Sequence, residues 1–379
     1  MKYVDEFRDR TIAEKLSAQI AREADPACDY HFMEFCGGHT HAIFRHGVKD
    51  LMPSNVHFVH GPGCPVCVLP VRRLDDAIEL AEAHGVILCS YGDMMRVPGT
   101  KQHSLIRARA AGADVRMVYS VQDALKTAHD NPAREVVFFA IGFETTTPPT
   151  AVAITQAKAE GLGNFSVFCN HVLTPPAIGA ILQSTGAEAA KIDGFLGPSH
   201  VSTVIGSEPY EACATSFNKP VVIAGFEPLD VMQSVLMLVR QVNGGRAEVE
   251  NEYTRAVTRE GNLKAKALTA EVFELRENFE WRGLGTVPLS ALRIREAYGA
   301  YDAERRFALS PKASREVKSC ECPAILRGQK KPTECKLFGT VCTPETPMGS
   351  CMVSSEGACA AYWTYGRHRH KAGHAGAAE

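Results

Sequence analysis

Short apolar runs that stop abruptly at glycine, proline or cysteine set the rhythm of the first half of the chain. His31 to Phe35 runs into Cys36-Gly37-Gly38-His39, Val56 to Val59 into Gly61-Pro62-Gly63-Cys64, and Val86 to Ser90 into Tyr91-Gly92-Asp93. Runs of this length closed by turn residues read as buried strands. Between them the period becomes helical. Phe7, Ile12, Leu16 and Ile20 form one apolar stripe over Asp5 to Ala24; Leu74, Ile78 and Ala81 form another over Arg73 to Gly85, with Gly85 as the stop. Extended back to Val68, that second helix would present its N-terminus to Cys64 and Cys67 and favour thiolate over thiol. Strand, special loop, helix is the α/β rhythm.

The order then repeats. Phe165 to Cys169 ends in Asn170-His171, Gly194 to Leu196 in Gly197-Pro198-Ser199-His200, and Val221 to Ala224 in Gly225-Phe226-Glu227. Each pair of landmarks is separated by roughly one βα unit, so the pattern predicts two related, Rossmann-like α/β domains facing each other. Gly142-Phe143-Glu144-Thr145-Thr146-Thr147-Pro148 lies between a strand over Glu135 to Ile141 and a helix over Pro149 to Glu160. Proline in a capped first turn explains this loop better than an anion site does, because it is no Walker A. After Pro228 the pattern predicts helices over Leu229 to Val242, Ala247 to Glu260 and Leu263 to Leu275, then a Gly/Pro-rich connection over Trp281 to Tyr301.

Composition narrows the class. A chain of 379 residues that is 45% hydrophobic and 22% charged fits an ordinary soluble α/β protein of two or three domains. A formal charge of −2 gives no electrostatic reason to expect nucleic acid or an anionic membrane as partner. Met1 to Ala24 carries Asp5, Glu6 and Asp9 and lacks an apolar signal core, and no stretch is long and apolar enough to span a membrane. A cytoplasmic location is expected. There, thirteen cysteines, an odd count, point to metal or redox work more than to structural disulfides.

Three cysteine sites carry the candidate chemistry. Cys320, Cys322, Cys335, Cys342, Cys351 and Cys359 are spaced by two, thirteen, seven, nine and eight residues, which matches no common zinc finger but suits an iron–sulfur cluster. The preferred tetrad is Cys322, Cys335, Cys342 and Cys359, with Cys359 in the first turn of a helix begun by Ser354-Ser355-Glu356. Cys36 and His39 flank two glycines and read either as nucleophile and base or as ligands to iron. Cys64 and Cys67, in a proline-stiffened turn, read as a redox dithiol, ahead of half a metal site. Cys28, Cys89, Cys169 and Cys213 have no partner motif and are expected in the core.

Taken together, Cys36-Gly37-Gly38-His39-Thr40-His41, Gly61 to Cys67, Gly142 to Thr146, Gly197 to Val201, and the C-terminal run through Lys336 to Gly339, Cys342-Thr343-Pro344 and Met352 to Cys359 resemble the HypD family of [NiFe]-hydrogenase maturation factors. The resemblance covers roughly Tyr3 to Tyr365. It implies a scaffold for assembling the Fe(CN)2CO group in complex with the small chaperone HypC, with cyanide supplied by HypE and HypF upstream. By the same resemblance Cys36 would ligate the iron with a HypC cysteine, supported by His39; Cys64 and Cys67 would be the thiol/disulfide pair; Cys322, Cys335, Cys342 and Cys359 would hold a [4Fe-4S] cluster, with Glu356 a functional carboxylate beside it. The implied layout is an N-terminal helix (1–29) packing on the third domain, α/β domains over 30–130 and 131–228, a mainly helical domain organised by the cluster over 229–366, and a disordered tail (367–379). The protein alone is expected to be a monomer, and a redox-active scaffold more than a conventional turnover enzyme.

Two rivals remain at this level. A stand-alone iron–sulfur thiol/disulfide oxidoreductase would turn over without a partner, and a zinc-stapled α/β binding module would hold zinc and lack visible absorbance.

Overall fold

In a computed structural model, residues 5–184, 189–310, 314 and 316–366 are described. The tail expected from Arg367 lies outside them. Nine strands form two sheets: β1 (Tyr30–Glu34), β2 (Val56–His60), β3 (Ile87–Ser90), β4 (Val115–Met117), β5 (Val136–Gly142), β6 (Phe165–His171), β7 (Gly194–Gly197), β8 (Val221–Ile223) and β9 (Val249–Asn251). One sheet has the order β2-β1-β7-β8-β9, the other β4-β3-β5-β6, and every pairing within them is parallel. This is the α/β class with parallel sheets that the apolar runs predict.

Period-two alternation decides what each strand buries. In β5, Val137, Phe139 and Ile141 face a central core with Met33, Phe195 and Ile223 of the other sheet. Val136, Phe138 and Ala140 face helix residues on the opposite side. In β1 it is Tyr30 and Phe32 that point outward, onto Val231, Val235 and Val239 of the helix Pro228–Asn243. Helix α1 (Arg10–Glu23), begun by an Asp9 cap that accepts from the Ile12 amide, lies on this same helix, tied by Glu23 to Arg240 at 2.7 and 2.8 Å.

The strands do not join the sheets in contiguous blocks. The chain builds β1 and β2 in one sheet, crosses to build β3 through β6 in the other, and returns for β7 through β9. An expected boundary between 130 and 131 therefore falls inside the second sheet, between β4 and β5. The expected repeat also fails to follow the sheets: the matched landmarks Gly61 and Gly197 lie at strands of the same sheet, and within the first half Cys36 follows a strand of one sheet and Gly92 a strand of the other. The spacing of βα units fixes their length but not which sheet receives the next parallel strand.

Two helical expectations and one expected connection change. Residues 247–260 form β9 and turns, because Val249 pairs beside Val221 at the open sheet edge. The helix from Leu263 stops at Val272, and Phe273–Leu275 becomes strand β10, paired antiparallel with β13 (Leu292–Ile294). Trp281 to Tyr301, expected as connection, includes the end of strand β11 (Asn278–Trp281), its antiparallel partner β12 (Gly285–Pro288) and β13. The loop before the helix Thr147–Glu160 turns its polar groups inward: Glu144 accepts from the Thr174 amide at 2.7 Å and hydroxyl at 3.0 Å, and Thr146 donates to the Phe143 carbonyl.

A half-buried ion cluster clamps the end of β6. Arg73 and Arg276 both donate to Glu304, the first at 2.6 Å, and both reach the Cys169 carbonyl. Burial alone would raise the Glu304 carboxyl, but the two guanidinium groups outweigh it and hold it down to about 2. A depressed carboxyl stabilises the fold above its ordinary value of 4.5 and stops doing so as pH falls toward about 2. Glu304→Gln should cost about 2 kcal/mol at neutral pH and flatten the loss of stability in that acid window, as read by urea unfolding at stepped pH.

Candidate functional site

Neighbouring parallel strands end side by side, with Glu34 opposite His60, so the loops that follow them touch. The Gly61 amide donates to the Glu34 carbonyl at 2.9 Å and the Gly37 amide to the Gly63 carbonyl at 3.2 Å. A Cβ on Gly63 would fall into the Cys36 backbone, and one on Gly37 into the Glu356 side chain. Only glycine lets the 36–38 loop, the 61–64 loop and the turn carrying Glu356 share this place. Cys36 caps helix α2 (Gly37–Arg45) in extended conformation, its carbonyl accepting from the amides of His39 and Thr40.

The site is dry and acidic. Burial pushes the Cys36 thiol well up, and the nearby Glu356 and Glu34 carboxylates push further in the same direction. Glu356 is itself raised by burial and then by Asp93 and Glu34. Burial and these carboxylates both favour the protonated thiol of Cys36. His39 is fully buried, and its Nε2 faces the carbonyls of Ala224 at 3.0 Å and Gly225 at 3.1 Å, with Ser199 Oγ at 3.3 Å. Two carbonyl acceptors require a hydrogen on Nε2, which leaves Nδ1 as a bare lone pair, and that atom is buried with no partner among the described residues. This tautomer suits a ligand or supporting acceptor better than a nucleophile–base pair acting through Nε2.

Cys64 and Cys67 are joined by a disulfide and buried. The expected helix forms but does not extend back to Val68. Cys64 caps the one-turn helix α3 (Pro65–Val68), Leu69 is extended, and α4 (Val71–Glu82) begins only after Pro70. Proline at 70 cannot continue the helical hydrogen bonds, so the longer helix axis is not aligned on the thiols. Cys67 touches the C-terminal segment instead: Ser350 Oγ donates to its carbonyl at 3.1 Å, and its sulfur lies 4.0 Å from the Ser350 carbonyl.

Cys322, Cys342, Cys351 and Cys359 are buried and Cys320 is half-buried, all continuous with the core that holds Cys64 and Cys67. The Cys322 thiol is in hydrogen-bond contact with Cys320 and with Cys359, and both of those thiols are raised chiefly by that contact and by burial. Cys335, also half-buried, lies against Glu321, the neighbour of Cys322. Cys359 is in the first turn of a helix, as expected, but the helix is Ala358–Ala361 capped by Gly357; Ser354 to Glu356 forms a turn before it. Among the described residues no three His, Cys, Asp or Glu side chains stand together as a formed metal site. The donor chemistry nonetheless fits an iron–sulfur cluster. The thiols are soft, crowded and shielded from water, and a Cβ on Gly349 would run into the sulfurs of Cys320 and Cys322 at 2.5 and 2.7 Å.

Several participants escaped the motif reading. Glu34 accepts from the Cys36 amide at 3.1 Å, from Thr40 Oγ1 and from His60 Nδ1 at 2.7 Å, and both Glu34 and His60 are buried. The signal was a charged and a titratable residue closing otherwise apolar strands. Ser199 lies within the Gly197-Pro198-Ser199-His200 stretch, which assigned it no role, and Ser350 carried no signal. Cys89, Cys169 and Cys213 are buried as expected, whereas Cys28 is exposed, because it sits in the turn before β1 and not on the strand.

The chain matches the family model HypD, described as the hydrogenase formation hypA family, over residues 11–366. It is 67% identical over 371 residues to the hydrogenase maturation factor HypD of Azotobacter vinelandii, covering 97% of this chain and 98% of that protein. The HypD of Rhizobium leguminosarum bv. viciae is 66% identical over 374 residues, with 98% and 97% covered. That of Escherichia coli K12 is 47% identical over 371 residues, with 96% and 98% covered.

Removing Glu34 leaves three buried donors without an acceptor. Glu34→Ala should lower the unfolding free energy by about 3 kcal/mol and speed alkylation of Cys36 in the folded protein, followed by peptide mass spectrometry.

Proposed function

The chain belongs to the HypD family of hydrogenase maturation factors, and from that membership we propose that it is the scaffold on which the Fe(CN)2CO group of a [NiFe]-hydrogenase is put together. The work would be done in the cytoplasm in complex with a HypC-type small chaperone, with cyanide handed over by HypE and HypF acting upstream. The observation that carries this reading is the meeting of Cys36, the Cys64–Cys67 turn and Glu356 at one glycine-lined place, in a core continuous with the C-terminal thiols.

The iron unit is cargo. Cys36 would bind it as thiolate, sharing it with a cysteine of the small partner, so its thiol proton must leave. Glu356, whose carboxyl is raised by burial and by two neighbouring carboxylates, is the adjacent group suited to take that proton on a carboxylate oxygen. His39, fixed through Nε2, would support the site with its bare Nδ1. Closed cover around the thiolate keeps water from competing for iron. Cys64 and Cys67 form a two-electron couple: opening their disulfide consumes two electrons and two protons and gives two thiols.

A [4Fe-4S] cluster, when bound, would supply single electrons to this region. Cys322, Cys342 and Cys359 are common to the tetrad expected from spacing and to the packed group; Cys335, Cys320 and Cys351 are the candidates for the remaining place. A third domain organised around that cluster belongs to the same proposal.

Infrared spectroscopy of the anaerobically purified protein with its small partner tests the scaffold. Bands from bound CN and CO are expected, and Cys36→Ala should abolish them; their persistence in that variant would refute the iron assignment. Cys64→Ser should leave the cluster's visible absorbance in place while maturation stops. Reduction of a protein disulfide by the chain alone would favour the stand-alone oxidoreductase.

A further inference from the structure

We propose that Arg282 is a positioning residue for the Cys64–Cys67 pair, its buried guanidinium easing the opening of the disulfide. The proposal rests on the reading of these two cysteines as a redox couple.

Arg282 follows β11 at the tip of the β11–β12 hairpin, where its backbone amide donates to the Val68 carbonyl at 2.8 Å, one residue past Cys67. Its Nη1 donates to Ser350 Oγ, and that hydroxyl donates onward to the Cys67 carbonyl at 3.1 Å. One hairpin thus holds the backbone of the cysteine turn twice, directly and through Ser350. Arg282, Cys320, Cys322 and Gly349 also line one small cavity of about 20 Å3, so the same guanidinium stands between the disulfide turn and the C-terminal thiols.

Charge makes this more than a brace. The Arg282 side chain is 5% exposed, and its carboxylate partner Glu316, at 2.9 Å, is 42% exposed. Arginine cannot shed its proton, and a counter-charge half in water is screened, so positive potential remains on the inner side, toward Ser350 and Cys67. A serine hydroxyl or an apolar side chain would fill the space without that field. When a thiol reductant opens the disulfide, its thiolate attacks one sulfur, the S–S bond breaks and the leaving sulfur carries the negative charge. The second reductant thiol then attacks the first reductant sulfur in the mixed disulfide and displaces the cysteine bound there, leaving oxidised reductant, one cysteine thiol and Cys67 as thiolate, its proton released to solvent. Positive potential beside Cys67 stabilises the leaving sulfur and the reduced pair.

The test uses the full-length protein under anaerobic conditions, equilibrated across ratios of reduced to oxidised dithiothreitol at pH 8, then alkylated, with the Cys64–Cys67 peptide counted by mass spectrometry. Arg282→Gln should require about a tenfold higher ratio for half-opening, equivalent to about 30 mV, whereas Arg282→Lys, which keeps the charge, should stay within about threefold of the unmodified protein. Glu316→Gln, which removes the counter-charge and leaves the guanidinium, should shift the midpoint the other way, and decides the matter if Arg282→Gln does not fold. Unchanged midpoints in Arg282→Gln, or in Glu316→Gln where only that variant folds, overturn the role of Arg282 while leaving the redox couple intact. A disulfide that stays closed at every ratio in the unmodified protein overturns the redox reading itself.

Discussion

Everything around Cys36 depends on backbone meeting backbone. Two parallel strands deliver their loops to the same point; a single added carbon at Gly63 would push those loops apart, and one at Gly37 would push off the turn carrying Glu356. At Gly63 contact this close cannot be had by choosing smaller side chains, since the obstacle is the Cys36 main chain. Once made, it leaves no room for water and few ways to satisfy the polar groups brought inside. Glu34 resolves most of that difficulty by accepting from an amide, a hydroxyl and an imidazole at once.

The electrostatics follow from the same closeness. Carboxylates of buried Glu34 and half-buried Glu356, near one thiol, oppose any negative charge on its sulfur. Such a place is hostile to a free thiolate and hospitable to a cation, which would neutralise all three groups together. The Cys64–Cys67 turn stands beside it with different needs. It is disulfide-bonded and braced from the C-terminal segment by Ser350, which suits the electron chemistry proposed for it. Placing both in one core allows the two kinds of chemistry to adjoin without sharing a ligand.

How much of this was legible depended on which link of the chain carried the information. Apolar runs ended by glycine and proline gave the strands, since burial on both faces leaves that pattern whatever sheet the strand joins. They could not give the sheet order, and the apparent repeat misled because equal spacing survives a change of sheet. The residues 247–260 look helical in isolation, yet the free edge beside β8 drew Val249–Asn251 into a strand. The cysteine groups were visible by density and spacing, while Glu34, His60, Ser350 and Arg282 were not, because their roles exist only where distant segments meet. Cys28 looked like core by residue type alone and is exposed, a matter of one turn.

The interleaved sheets carry a consequence for biosynthesis. The loops bearing Cys36 and Cys64 leave the ribosome early, but β1 receives its inner neighbour β7 only after all four strands of the other sheet have been made. Glu356, which lies 320 residues after Cys36, and Ser350, 286 after Cys64, cover those loops and are translated long after them. Through most of synthesis these thiols have no protein lid. The long loop closures that finally enclose them make this a slow, late step. A nascent chain halted before residue 350 would expose the Cys36 and Cys64 thiols without the cover of Ser350 and Glu356.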